Sequence, residues 1–235
     1  MSNFFSKKLY SALRAALPPH CVLCGAPAGT ALACADCRHE MPQMAAACPC
    51  CALPSVEGVV CGDCFVKPPP LRFTVAAFRY AFPVDRMVQA LKYGGQLALA
   101  DWFGDALARA VLRNATAGSG VDRVIALPLS VARQRQRGFN QAAEIARRTA
   151  DVLDVARDHG LRRVRDTPPQ ASLAWAQRVR NLRDAFAAVH RYDGLSIALI
   201  DDVMTSGATL HAAARALTRA GAQSVDAWVV ARTLR

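Results

Sequence analysis

The sequence predicts an α/β protein, a parallel sheet covered on both faces by helices, preceded by a small module organised by cysteines. Three observations predict it. Short apolar runs such as Ile197-Ala198-Leu199-Ile200 alternate with helix-patterned segments through residues 74–235, as strands buried on both faces and joined by helices require. Eight of the nine cysteines form Cys-x2-Cys pairs, at Cys21, Cys24, Cys34 and Cys37 and again at Cys48, Cys51, Cys61 and Cys64, each of the second four 27 residues after its counterpart. A chain of 235 residues with 53% hydrophobic content builds a full core, which excludes a disordered polypeptide.

From the N-terminus, residues 1–17 carry Phe5, Leu9, Leu13 and Leu17 every four positions, the spacing of an amphipathic helix that packs on its own protein. Arg14 interrupts the apolar part, which is too short to span a bilayer and is not a secretion signal. No transmembrane segment and a cytoplasmic, reducing setting are therefore expected, with thiols in place of disulfides. Residues 18–66 hold the duplication, which Pro27 and Pro54, and Asp36 and Asp63, also obey. Paired knuckles with four thiolates suit tetrahedral zinc, and a module with so little apolar sequence takes most of its folding energy from the metal.

Two structural zinc ions are expected. Each repeat has a complete ligand set, which favours one ion on Cys21, Cys24, Cys34 and Cys37 and one on Cys48, Cys51, Cys61 and Cys64. An interleaved arrangement, with Cys21 and Cys24 sharing a metal with Cys48 and Cys51, also fits the spacing. Closed four-thiolate sites leave no position for catalysis. Cys50 stands outside the framework, and His20 and His39 flank ligands, where they read as solvated surface residues or as substitute ligands.

Residues 67–73, "KPPPLRF", read as a stiff linker into a domain over 74–235. There "TVAAFRYAF" predicts a strand, "VDRMVQALKYGGQ" a helix closing at Gly94-Gly95, and 97–112 a second helix. "VDRVIALPL" predicts a strand ending at Pro128, and "SVARQRQRGFN" a basic loop that becomes helix near Asn140. Short strands at 161–165 and 185–192, a strand at 197–200, a helix at 210–217 and a strand at 225–231 complete the domain. Lys92 reads as a solvated helix residue or a phosphate contact.

Charge is concentrated. The formal net charge is +11, and two zinc sites, each −2 with its four thiolates, lower it to +7. Residues 123–191 contain 14 Arg, no Lys and six acidic residues, so this stretch faces something anionic. Within it Arg133, Arg135 and Arg137, followed by Gly138, alternate in the expected loop, where forked guanidinium groups grip a pyrophosphate or form a solvated face.

The stretch "IALIDDVMTSGATLHAAARAL" reads as strand, loop and helix. Asp201 and Asp202 mark the strand end, and adjacent carboxylates repel unless ribose hydroxyls or a magnesium ion neutralise them. Thr205, Ser206, Gly207, Ala208 and Thr209 offer hydroxyls and backbone N–H groups at a helix N-terminus, which favours an anion. Together they read as a cradle for a sugar phosphate. No G-x-x-x-x-G-K-[ST] occurs, which excludes a P-loop NTPase; a plain strand-to-helix turn with Asp as cap is the bland alternative.

"LIDDVMTSGATL" resembles the phosphoribosyl pyrophosphate (PRPP) signature of type I phosphoribosyltransferases. The resemblance implies that Asp201 and Asp202 hold the ribose hydroxyls with magnesium and that Thr205–Thr209 hold the 5′-phosphate. "ALKYGG", "ALPLSVARQRQRGFNQAAEIA" and "RDTPPQASLAWAQRVRNLRDAF", behind the double zinc ribbon, are similar to the ComF family of competence-associated phosphoribosyltransferase-like proteins. That similarity spans the chain and implies a type I phosphoribosyltransferase fold. It also implies a mobile flap that carries Thr167, Gln170, Arg178 and Asn181.

Two functions follow from the resemblance. One is PRPP binding in a protein of DNA uptake, with single-stranded DNA and the uptake machinery as partners. The other is an active phosphoribosyltransferase in nucleotide metabolism or salvage. Aromatics make up only 7%, with Phe139 and Trp175 in the basic blocks, so base stacking is a weak contributor to any DNA grip. No catalytic base and no acceptor pocket stand out, and the catalytic residues are unassigned.

Overall fold

The computed structural model describes residues 20–29, 32–114, 120–165 and 184–234. The helix expected over 1–17 and the flap residues Thr167, Gln170, Arg178 and Asn181 lie outside the described residues. Two compact units are present, Met1–Met41 and Pro42–Arg235, so the division falls between the two cysteine repeats. Among the described residues no helix is long and apolar enough to cross a membrane.

In the first unit the N–H of Cys21 donates to Ala26 O at 2.7 Å, and its carbonyl accepts from the Gly25 N–H at 2.9 Å. Gly25 takes φ 74°, where a side chain would be strained. Helix α1 (Ala35–His39) begins at Cys34, whose sulfur accepts from the Cys37 N–H at 3.5 Å.

The second unit opens with the other repeat, a 3-10 turn at Val56–Gly58 and helix α2 (Gly62–Val66). Then follow β1 (Thr74–Arg79), α3 (Val84–Gly94), α4 (Ala98–Arg113), β2 (Arg123–Ala126), α5 (Val131–Arg137) and α6 (Gln141–Leu153). The chain continues through β3 (Ala156–Asp158), β4 (Leu161–Arg163), β5 (Phe186–Ala188), β6 (Ser196–Met204), α7 (Ala208–Arg219) and β7 (Ser224–Arg232). Five strands form one sheet in the order β1-β7-β6-β2-β3, every pairing parallel. β4 and β5 form a separate antiparallel ribbon.

Alternation along the central strands divides the core. Ile197 and Leu199 of β6 join Val225, Ala227 and Val229 of β7 under the apolar side of α7. Ala198, Ile200 and the fully buried Trp228 point the other way, beneath α4 and α6. Those two helices approach closely at Gly104, where a Cβ would meet Arg148 Cβ at 2.6 Å. Each fully buried aliphatic side chain contributes about 1.5–3 kcal/mol, so this double-faced core outweighs any single polar contact.

The end of the 67–73 connection is held to β7. Arg72 forks onto Asp226 at 2.9 and 2.7 Å, and the Phe73 N–H donates to the same carboxylate at 3.2 Å.

Three elements differ from expectation. The basic loop at 131–137 is helix α5, capped by Ser130, whose Oγ accepts from the Arg133 N–H at 3.3 Å, and closed by Gly138 at φ 76°. Beyond Val131 and Ala132 it is polar all round, so its sequence has no apolar stripe to betray it. β3 was not expected, because Ala156, Arg157 and Asp158 lack a strand's apolar alternation. β6 continues through both aspartates to Met204.

Candidate functional site

The chain leaves β2 towards β3 on one side and β6 towards β7 on the other, so the crevice between the C-terminal ends of β2 and β6 is a topological switch point. β2 stops pairing at Ala126 opposite Ile200, whereas β6 pairs with β7 as far as Met204 opposite Arg232. Asp201 and Asp202 lie in that overhang. Past it, Asn140 caps α6 by accepting from the Ala142 N–H at 3.0 Å and donates Nδ2 to Leu127 O at 3.1 Å, which fixes the end of β2 to the helix.

The repulsion that the sequence implied has a resident answer. Lys92, near the C-terminus of α3, forms an ion pair with the buried Asp202 carboxylate. Asp201 is half-buried, and burial followed by the charge of Asp202 pushes its carboxyl well above the usual range, with Lys92 opposing. Local main-chain donors help: Asp202 N–H to Asp201 Oδ1 at 2.8 Å and Val203 N–H to Asp202 Oδ1 at 2.9 Å. Lys92 is thus largely buried and paired with a carboxylate. Its partner lies 110 positions away, beyond reach of any local pattern.

After Met204 the chain turns through Thr205 and Ser206 to Gly207, which takes φ 77° and opens α7. A Cβ there would meet Met204 Cε at 2.6 Å and His211 Nε2 at 3.1 Å; the methionine end can move aside, so it is the left-handed angle that calls for glycine. The Ser206 Oγ accepts from the Ala208 N–H at 3.4 Å. His211, one turn into α7, is pushed down to about 4 by burial and by Arg215 and Arg232, so it is neutral at physiological pH. Among the described residues its Nε2 has no hydrogen-bond partner. Backbone N–H groups at the start of this 12-residue helix carry the positive end of its dipole.

α5 brings its arginines to the same end of the sheet in different states. Arg133 and Arg135 are exposed. Arg137 is half-buried, donates to Tyr93 Oη at 3.3 Å and lies 5.2 Å from the Tyr93 ring centre. The "ALKYGG" segment thus grips the acidic pair with Lys92 and α5 with Tyr93. A cavity of about 470 Å³ adjoins α5 and the β4–β5 ribbon, lined by Arg135, Asn140, His159, Leu161, Arg162 and Arg163 among others. Segments distant in sequence build this cavity, so the sequence did not reveal it. At the base of the ribbon Asp158 accepts from Tyr192 Oη at 2.7 Å and the Gly160 N–H at 2.6 Å.

The eight framework cysteines collect into two groups, Cys21, Cys24, Cys34 and Cys37, and Cys48, Cys51, Cys61 and Cys64, with all sulfurs of a group within 4.8 Å of one another. Cys24 to Cys34 is 3.7 Å and Cys51 to Cys61 is 3.8 Å. A tetrahedron with Zn–S bonds of about 2.3 Å has edges of roughly 3.8 Å, so both groups fit the ion. The grouping is sequential, not interleaved. Burial opposes the thiolate at Cys21 and at Cys48, but main-chain N–H donors outweigh it and bring these thiols down to about 6 and about 7. The other shifted ligands move upward, Cys37 through the neighbouring thiols and Cys51 and Cys64 first through burial, as expected of crowded sulfurs before a cation joins them.

A double zinc ribbon domain matches residues 12–65, and a phosphoribosyl transferase domain matches residues 139–234. Competence protein ComFC of Bacillus subtilis is 35% identical over 111 residues, 47% of this chain and 44% of its own length. Competence protein F of Haemophilus influenzae is 29% identical over 163 residues, 65% of this chain and 69% of its own. DNA utilization protein YhgH of Salmonella typhimurium is 34% identical over 224 residues, covering 93% of this chain and 99% of its own. The chain belongs to the ComF family. This ComF chain combines an α/β phosphoribosyltransferase fold with a double zinc ribbon. Lys92 and Tyr93 lie outside both matched segments, yet in this ComF chain they bind the acidic pair and α5.

Proposed function

We propose that this ComF chain binds magnesium-PRPP at the ends of β2 and β6 and acts in DNA uptake. One observation carries the reading: an acidic pair overhanging the sheet beside a helix N-terminus opened by a left-handed glycine. The 5′-phosphate takes the N–H groups and hydroxyls of Thr205, Ser206, Gly207, Ala208 and Thr209, and the ribose hydroxyls take Asp201 and Asp202. Two adjacent carboxylates suit a hard cation, and Asp201, whose charged form is disfavoured in the free protein, gains a counter-charge when magnesium arrives with the pyrophosphate. Arg133, Arg135, Arg137 and Gly138 face the pyrophosphate or a DNA phosphate, and Thr167, Gln170, Arg178 and Asn181 belong to the flap. Both cysteine groups hold structural zinc. The names of the relatives support the DNA role, and the 14 arginines between 123 and 191 supply its electrostatics.

Calorimetric titration with magnesium-PRPP tests the reading. Asp201→Asn spares the Lys92–Asp202 pair, so it alters the ligand site without orphaning a buried lysine. Affinity should fall roughly 10- to 100-fold, the worth of a charged hydrogen bond; equal affinity would refute the assignment. A labelled single-stranded oligonucleotide should be displaced by magnesium-PRPP in an anisotropy assay, since both ligands draw on one set of cations.

A second reading, phosphoribosyl transfer to an acceptor in nucleotide metabolism or salvage, is favoured by the cavity of about 470 Å³ beside α5. Its test is pyrophosphate release from PRPP on addition of free bases or nucleotides.

A further inference from the structure

A buried arginine joins the second cysteine group to the anion loop. Arg232 ends β7 with only 2% of its surface exposed. Its Nε donates to the carbonyl of Cys51 at 2.8 Å. Its Nη1 donates to Met204 O at 3.0 Å, to Thr205 O and to Thr233 O at 3.0 Å. One rigid, planar cation thus holds the carbonyl of a cysteine ligand and the two carbonyls that begin the 205–209 loop. The same turn is gripped twice more: Pro49 O accepts from the Thr74 N–H and Cys50 O from Thr74 Oγ1, each at 2.7 Å.

We propose that Arg232 is a positioning residue through which the second cysteine group, when it holds zinc, sets the conformation of the 205–209 loop and so its affinity for a phosphate ester. The ligand part of this inference rests on the PRPP reading. Four sulfurs crowded within 4.8 Å stay together when a cation closes them, and the Cys48–Cys51 turn is ordered by that closure. Without it the Cys51 carbonyl drifts. A buried guanidinium then lacks one acceptor and rearranges to recover it, releasing Met204 and Thr205. Loop donors that are fixed before the anion arrives bind it more tightly than donors that must be ordered by it.

Hydrogen exchange read by mass spectrometry tests the link in the full chain. Wild type, Cys34→Ser/Cys37→Ser and Cys61→Ser/Cys64→Ser are compared, the last pair chosen so that Cys51 itself is untouched. Arg232→Lys keeps the charge and loses the fork. Amides of 203–211 should exchange at least about tenfold faster in Cys61→Ser/Cys64→Ser and in Arg232→Lys, while 197–200 stay protected and Cys34→Ser/Cys37→Ser matches wild type in both segments. Arg232→Lys should keep its full zinc content yet bind magnesium-PRPP about tenfold more weakly, a split that a merely structural arginine would not produce. Equal exchange of 203–211 in the two cysteine variants overturns the proposal. Loss of protection at 197–200 together with 203–211 also overturns it, because the effect is then on the whole sheet. Should Arg232→Lys fail to fold, wild type with and without a zinc chelator replaces it. If the variants show the exchange pattern but wild type takes up no PRPP, the mechanical link stands and the ligand reading falls.

Discussion

The second cysteine repeat copies the knuckle turn and the helix of the first at the same offset. The Cys21 N–H to Ala26 bond of 2.7 Å recurs as Cys48 to Leu53 at 2.8 Å, and Gly25 to Cys21 at 2.9 Å recurs as Ala52 to Cys48 at 2.9 Å. α1 (Ala35–His39) and α2 (Gly62–Val66) start and stop at the same offset. The position that is Gly25 at φ 74° is Ala52 at φ 54°, a strained alanine whose methyl is buried in the core of the second unit. What differs is the use of the turn. Pro49, Cys50 and Cys51 each lend a carbonyl to β1 or β7, so the second knuckle folds with the sheet unit, while the first closes its own unit. A metal knuckle takes its fold from local ligand spacing and its role from what its turn carbonyls touch.

The largest effect should come from breaking the two sites separately. Losing the second should lower the opening free energy of the 48–51 turn and the 203–211 loop by on the order of 3–6 kcal/mol, since three hydrogen bonds to buried donors go with it, while 197–200 keep their protection. Losing the first should leave that unit's melting temperature unchanged. Hydrogen exchange of Cys61→Ser/Cys64→Ser against Cys34→Ser/Cys37→Ser, with calorimetric unfolding of both, reads the difference.

pH gives the next largest reading, and it reports on the second unit alone. His211 titrates near 4 in the folded chain and near 6.5 when unfolded, so the unfolded state binds the extra proton between those values. Its contribution is present above pH 6.5 and is lost as pH falls towards 4, up to about 3 kcal/mol. His211→Phe should flatten that part of the stability–pH curve measured by urea unfolding.

Smaller still, Thr74→Val removes one of the three carbonyl grips and should cost about 1–2 kcal/mol in the same unfolding assay, without changing zinc content. Least of all, Cys50→Ser should leave two zincs per chain by elemental analysis. Cys50 serves the turn through its carbonyl and lies outside both sulfur groups.

What was legible in the sequence was local. Ligand spacing reported both knuckles, and the run from Ile197 through Gly207 to Leu210 reported strand, loop and helix. What was hidden required partners far along the chain. Lys92 meets Asp202 across 110 positions, and Arg232 looks like the frayed end of a strand until its carbonyl acceptors are seen. A charged residue closing the apolar run Trp228–Ala231 was still a usable signal, because a buried guanidinium must find acceptors. α5 left a fainter one in Ser130 and Gly138, a cap at each end of a segment with no apolar stripe.

Whether the second knuckle serves a phosphate site at all is tested most directly by a crystal structure of the zinc-loaded chain grown with magnesium-PRPP. The 5′-phosphate should sit on the amides of 206–209, the ribose hydroxyls on Asp201 and Asp202, and Arg232 should still be bound to the carbonyls of Cys51 and Met204. PRPP seated elsewhere, or an intact crevice left without ligand at saturating concentration, would contradict it.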